Sequence, residues 1–277
     1  MRRAATAALL GLMLAGCATF PEQGPREWHE QLEGASELGG PPSVPKPAPP
    51  PQTGPELGQE GQEGGEQREP TGCDDPDPQV IATCLDPVGA IAVLPDNLSA
   101  FAGEQRTGRV LRVEEDSDPE LVAVVPVDTS GGGGLTGLVL SPSFVEDQLA
   151  YAYITTPQDN RVVRIAPNEP PEPVLTGIPR GPTNNAGALA LDADGSLLVA
   201  TGNAGQSEPA PDSLAGKLLR IDGQGHPAEG NPDPASPVLS SGLQSPGGIC
   251  VDTRRSTAWI TDRRDGEDAL HLVVPGP

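Results

Sequence analysis

Reactive side chains are scarce in this chain, and the scarcity narrows its chemistry before any fold is considered. It has three histidines (His29, His226, His271) and four cysteines (Cys17, Cys73, Cys84, Cys250) among 277 residues. His226 lies in Gly-Gln-Gly-His-Pro, a polar loop that reads as exposed, not as a ligand site. His29 follows Trp28 where a short helix fits, and it reads as solvated. Asp192-Ala193-Asp194-Gly195 opens like a calcium loop, but no glutamate closes it at the required spacing, so a turn between strands is the better reading. Gly131 to Gly134 precedes no helical pattern, which argues against a phosphate loop. Ser141, Ser143 and Ser245 have no matching His and Asp, so a serine hydrolase finds no support. Asn97-Leu98-Ser99 fits a glycosylation acceptor by chance alone.

The most specific chemistry sits at the beginning of the chain. Arg2 and Arg3 form a charged region, Ala4 to Leu14 an apolar stretch too short to span a bilayer, and Leu14-Ala15-Gly16-Cys17 a small-residue cleavage site. This order resembles the bacterial lipobox, in which the cysteine thiol receives a diacylglyceryl group before cleavage. The expectation is a signal peptide over residues 1–16 and lipid on Cys17, with an ordinary signal peptide as the alternative. The arginine pair fits twin-arginine export poorly. No later segment is apolar enough to cross a membrane, so lipid is the expected anchor, placing the protein outside the cytoplasm at the bacterial membrane. In that oxidising setting Cys73 and Cys84, close in sequence, are expected to form a disulfide. Cys250, in Gly248-Ile249-Cys250-Val251, is expected to be a buried free thiol.

Elements must now be found to carry these residues. Residues 17–77 are rich in Pro, Gly, Glu and Gln with almost no aliphatic periodicity. Such a segment buries too little apolar surface to offset its conformational entropy, and it reads as a disordered stalk. A net charge of −22 with only two lysines, Lys46 and Lys217, argues against nucleic acid, which demands clustered cations. The acidity reads as solubility for an exported protein.

From residue 78 to 277 the composition changes to short β-branched and leucine runs broken by Gly, Pro, Asp and Asn, the pattern of strands and turns. Arg109-Val-Leu-Arg-Val113 recurs as Arg161-Val-Val-Arg-Ile165, Lys217-Leu-Leu-Arg-Ile221 and Ala269-Leu-His-Leu-Val273, at spacings of 52, 56 and 52 residues. Each copy follows a small-residue strand, a turn and a second strand, and the first three precede an outer strand. Four antiparallel strands about every 50 residues mark propeller blades, because one such sheet cannot bury both faces without neighbours. The expected fold is all-β, a β-propeller of about four blades or a truncated six-bladed ring. Val80 to Leu85 has the outer-strand pattern and is expected to complete the fourth blade and close the ring.

Gly134-Leu-Thr-Gly-Leu-Val-Leu-Ser-Pro-Ser-Phe144, Tyr151-Ala-Tyr-Ile-Thr155, Asn160-Arg-Val-Val-Arg164 and Ala215-Gly-Lys-Leu-Leu-Arg-Ile-Asp222 together resemble the glucose/sorbosone dehydrogenase family. The resemblance runs from about Val80 to Pro277. It implies a six-bladed propeller that oxidises aldoses with pyrroloquinoline quinone (PQQ) and calcium. The family's base is a histidine in His-x-Gly-Gly-x-Leu; here the stretch is Asn184-Asn-Ala-Gly-Ala-Leu189, and an amide has no useful basicity near neutral pH. The family's Gly-His-Arg-Asn-Pro-Gln-Gly gives an arginine to the anionic cofactor. Here it reads Gly242-Leu-Gln-Ser-Pro-Gly-Gly248, with Gln244 in the arginine's place. The calcium-binding Gly-Pro stretch has become Asp262-Arg-Arg-Asp-Gly-Glu-Asp-Ala-Leu-His271, leaving Asp262 as a further cofactor-site position.

Three functions follow. The preferred one is a propeller of this kind with degenerate motifs, binding a sugar or a cell-envelope ligand without catalysis. The alternative is an active PQQ- and calcium-dependent aldose dehydrogenase whose base comes from elsewhere. A lactonase-like propeller with a central metal lacks a convincing set of converging carboxylates.

Overall fold

The computed structural model describes residues 75, 77, 79–167 and 169–273. The expected signal peptide, the expected lipidation site Cys17, Cys73 and the expected linker apart from Asp75 and Asp77 lie outside the described residues. Among the described residues no helix is long and apolar enough to cross a membrane.

Four antiparallel sheets follow one another as blades of a β-propeller. The first is β1 (Val88–Val93), β2 (Ser99–Glu104), β3 (Arg109–Glu114) and β4 (Glu120–Val124). The second is β5 (Leu135–Leu140), β6 (Ala150–Thr155), β7 (Asn160–Ile165) and β8 (Glu172–Ile178). The third is β9 (Gly187–Leu191), β10 (Leu197–Thr201), β11 (Lys217–Ile221) and β12 (Val238–Ser241). The fourth has three strands, β13 (Pro246–Asp252), β14 (Thr257–Arg264) and β15 (Glu267–Val273). Within each sheet neighbours in sequence pair, so every connection is a hairpin.

The repeat has a structural counterpart in the register. Arg112 pairs with Phe101, Arg164 with Tyr151 and Arg220 with Leu198, each at the fourth position of its Arg/Lys-x-x-Arg stretch. The turn chemistry repeats as well. Asp96 caps Ser99 in the β1–β2 turn, and Asp192 and Asp194 in the β9–β10 turn both hold Arg220. Asp192-Ala193-Asp194-Gly195 is therefore a turn, as its missing glutamate implied.

One core lies between each successive pair of sheets. Phe101, Val110, Leu135, Phe144 and Val163 fill the first, with the Phe101 and Phe144 rings edge to face at 5.7 Å. Tyr153, Ile178, Leu197, Val199 and Leu219 fill the second, and Leu198, Leu218, Ala258 and Ile260 the third. Burying each large aliphatic or aromatic side chain of this kind contributes roughly 1.5–3 kcal/mol, the main reason the sheets stack. Packing runs β1 on β5, β5 on β9 and β9 on β13; among the described residues nothing comparable joins the first sheet to the fourth.

Two expectations are corrected here. Val80 to Leu85 forms no strand and does not pair with the fourth sheet. Instead Ala82 and Leu85 rest on Ala100, Ala102, Leu111 and Val113, covering an apolar face of the first sheet that no other sheet covers. Cys250 is free, as expected, but exposed. Its register partner is Trp259, which pairs in turn with Leu272, so all three lie on the face of the fourth sheet turned away from the third. Trp259 and Leu272 are exposed there too. Cys84 is disulfide-bonded, and its expected partner Cys73 lies outside the described residues.

Candidate functional site

The residues singled out by sequence meet at one end of the third and fourth sheets, where β9 and β13 begin and β10 and β14 end. Three connections build this mouth: the loop before β9 carrying Asn184, the loop after β10, and the loop before β13 carrying Gln244. The β14–β15 hairpin, Arg263 to Gly266, stands beside them.

Asn184 has a left-handed backbone, φ +55°, which asparagine tolerates better than most residues. Its Nδ2 donates to Asn203 Oδ1 at 2.9 Å, and its carbonyl accepts from the Ala204 amide at 3.2 Å. Between these contacts Gly202 admits no side chain, since a Cβ there would lie 2.0 Å from the Asn184 carbonyl oxygen. Asn203 is buried and carries the connection onward, its own amide donating to the Gln244 carbonyl at 2.9 Å. Sequence reasoning passed over Asn203; its signal was an asparagine set against glycine at a strand end, in Gly202-Asn-Ala-Gly205.

Gln244 is fastened by main chain and side chain. Its amide donates to both oxygens of Asp262 at 3.0 Å, and the Ser245 amide adds a bond to Oδ1 at 2.6 Å. Its Oε1 accepts from the Asp265 amide at 2.9 Å while Nε2 lies 3.3 Å from Asp265 Oδ1. Asp262 has no exposed side-chain surface. His271 Nε2 lies 3.4 Å from its carboxylate but is not aligned as a hydrogen bond, and Arg264 Nε stands at 3.9 Å. One hydrogen-bonded path therefore joins all three expected positions, Asn184 through Asn203 and Gln244 to Asp262.

A cavity of about 640 Å³ opens beside this path. Asp262, Thr261, Arg263 and Asp268 form its polar wall, and Ala186, Pro246 and Leu270 part of its apolar one. Asn184 and Gln244 do not line it; their neighbours Ala186 and Ser245 do. Sequence proximity placed them near the opening, but the hydrogen bonds above occupy the Asn184 side chain with Asn203 and the Gln244 side chain with Asp265.

The first sheet carries the same device. Glu104, at the end of β2 as Asp262 is near the end of β14, is fully buried and accepts from the Asp86 amide just before β1. Arg109 binds it through Nε at 2.7 Å and Nη2 at 2.6 Å, and these bonds, with those from Thr107 and Asp86, hold the carboxyl at a pKa of about 2 against the opposing effect of burial. Both buried carboxylates tie the chain ahead of a blade's first strand to the end of its second strand.

A sequence model of the glucose/sorbosone dehydrogenase family matches residues 85–277. The chain belongs to this family. Among solved structures, the PQQ-bound aldose sugar dehydrogenase of Streptomyces coelicolor is 33% identical over 71% of this chain, with a TM-score of 0.65. A Thermus thermophilus protein assigned as an oxidoreductase of glucose dehydrogenase type is 32% identical over 70% of the chain, with a TM-score of 0.62. The soluble aldose sugar dehydrogenase of Escherichia coli, at 24% identity and a TM-score of 0.60 over 69% of the chain, shares the fold. This glucose/sorbosone dehydrogenase-type chain spans 62% and 63% of the length of the first two. No curated protein sequence matches it.

PQQ, the cofactor named with the Streptomyces relative, carries three carboxylates, and the mouth of this chain does not fit such an anion. The two arginines beside the cavity already face carboxylates, Arg263 on Asp268 at 3.0 Å and Arg264 near Asp262. Arg180, at the mouth of the second sheet, is held by Asp128 and Ser130. No group of three or more His, Cys, Asp or Glu side chains gathers as a metal site among the described residues.

Proposed function

We propose that this chain is a lipid-anchored, extracytoplasmic member of the glucose/sorbosone dehydrogenase family that binds a sugar or cell-envelope ligand at its mouth without oxidising it. One observation carries the reading: Asn184 replaces the expected base, and its amide is spent on Asn203. Loss of a positioned general base costs about 10²–10⁴ in rate. The anchor is supported by Leu14-Ala15-Gly16-Cys17 alone.

A second reading, an active PQQ- and calcium-dependent aldose dehydrogenase, draws support from the 33% identity to a PQQ-bound enzyme and from His271. That histidine stands 3.4 Å from Asp262, a carboxylate–imidazole pair behind the cavity wall. One assay separates the two. Purified protein supplied with PQQ, calcium and an aldose is expected to reduce an artificial electron acceptor at background rate. Turnover at a rate typical of dehydrogenases would overturn the binding-module reading.

A further inference from the structure

Gln244 occupies the position where the family resemblance expects a cofactor-binding arginine, yet here the position has acquired a different task. The β14–β15 turn runs through two left-handed residues, Asp265 at φ +52° and Gly266 at φ +89°, and its tip is exposed. The Gln244 carboxamide meets Asp265 with an acceptor for its amide and a donor for its carboxylate. The Gln244 and Ser245 amides grip Asp262, three residues earlier and on β14 itself. Two adjacent residues thus bind one hairpin at two heights, and the hairpin carries Arg263 and Asp268 in the cavity wall.

We infer that Gln244 is a clasp that fastens the β14–β15 hairpin at the rim of the mouth, and that this pairing with Asp265 leaves a tricarboxylate no cation at this position. The inference rests on the proposed reading of the mouth as a ligand site. Arginine cannot perform the task, because a guanidinium has five donors and no acceptor. With arginine at 244 the Asp265 amide loses its acceptor while the Asp265 carboxylate captures the guanidinium. An incoming anion then competes with Asp265 for the cation. Glutamine at 244 is therefore coupled to Asp265, and restoring arginine alone leaves the new cation paired with the Asp265 carboxylate.

Three variants of the full chain test this: Gln244→Ala, Gln244→Arg, and Gln244→Arg combined with Asp265→Asn. Hydrogen exchange reads the clasp, and calorimetric titration with PQQ, with and without calcium, reads the mouth. Gln244→Ala should speed exchange of the Asp265 amide by about tenfold, the equivalent of one lost hydrogen bond. Wild type and Gln244→Arg should bind PQQ weakly or not at all. The double variant should bind at least about tenfold more tightly, since a charge-assisted Arg–carboxylate contact becomes free. Unchanged exchange in Gln244→Ala would sink the clasp. Wild type binding PQQ as tightly as the double variant, or the double variant gaining nothing, would sink the exclusion. A parallel titration with glucose probes the underlying reading: wild type that takes PQQ overturns the inference and leaves a ligand site standing, whereas exchange as expected with no ligand held by any form removes the ligand site and the exclusion but keeps the clasp.

Discussion

Replacing Asp262 by alanine should destabilise the domain by about 3–5 kcal/mol, the range for removing one member of a buried, hydrogen-bonded charged arrangement. The figure follows from what the carboxylate does. It accepts from two backbone amides, Gln244 and Ser245, at 2.6–3.0 Å in a site without exposed side-chain surface. Alanine leaves both amides without acceptors, at about 1–3 kcal/mol each, and a small void besides. Part of this is offset because a buried carboxylate no longer has to be desolvated. Asparagine keeps one oxygen for the amides and loses the charge that faces Arg264, so it should cost about half as much. Urea denaturation of wild type, Asp262→Ala and Asp262→Asn measures both, with an unchanged m-value as the control for two-state behaviour. His271→Ala and the Asp262→Ala/His271→Ala double variant complete a cycle that isolates their coupling. An Asp262→Ala variant within about 0.5 kcal/mol of wild type would refute the reasoning, since it would mean the carboxylate is not needed to hold the loop before β13.

Two further perturbations follow from the same geometry. Glu104 has its pKa lowered from 4.5 to about 2 by its hydrogen bonds from Arg109, so the stability it contributes is complete above about pH 4.5 and lost as the pH falls from there toward 2. Acid unfolding should shift to higher pH in Arg109→Met, and an unshifted midpoint would contradict the assignment. Tyr153 is fully buried with a hydroxyl that finds no partner among the described residues, and burial pushes its pKa up. Tyr153→Phe should therefore leave the protein as stable as wild type or more stable by up to about 1 kcal/mol, measured by urea denaturation, whereas a loss above about 1 kcal/mol would show that the hydroxyl is satisfied.

What sequence could reveal divides along a physical line. The blades were legible because their pattern is local and repeated: β5, β6, β9 and β10 fall on the small-residue and second-strand runs, and the arginines at 112, 164 and 220 share one register position. Departures arise where a segment's partner is distant in sequence. Val80 to Leu85 has the outer-strand pattern, but which sheet it covers depends on which apolar face is otherwise bare. Cys250 sits in an apolar run, yet burial belongs to a face, and its face carries Trp259 and Leu272 into solvent. The short helix α1 (Phe144–Asp147) follows the turn at Pro142 and Ser143 and was not legible, because what fixes it is the packing of Phe144 on Phe101 of the neighbouring sheet. At the mouth, sequence located Asn184, Gln244 and Asp262 but not Asn203 or Asp265, whose roles exist only through contacts across loops.

The four blades also explain why a cavity opens beside the last of them. At the mouth end of each of the first three sheets a polar residue on the second strand meets a residue on the third. Glu104 binds Arg109, Thr155 donates to Asn160 across its register pair, and Thr201 accepts from the Lys217 amide. In the fourth sheet Asp262 pairs in register with Ala269, a methyl where the other sheets place Arg, Asn or Lys. The side chains that answer Asp262 come instead from His271, two residues further along the strand, and from Arg264 at the end of β14. The side chains that Arg109 and Asn160 turn toward the second strand in the first two sheets are replaced here by a methyl, and both Asp262 and Ala269 border the cavity. Filling it by Ala269→Arg should rebuild the Glu104–Arg109 arrangement in the fourth sheet. The same change would narrow the opening proposed to hold a ligand, so stability and that proposed binding are opposed at this one position.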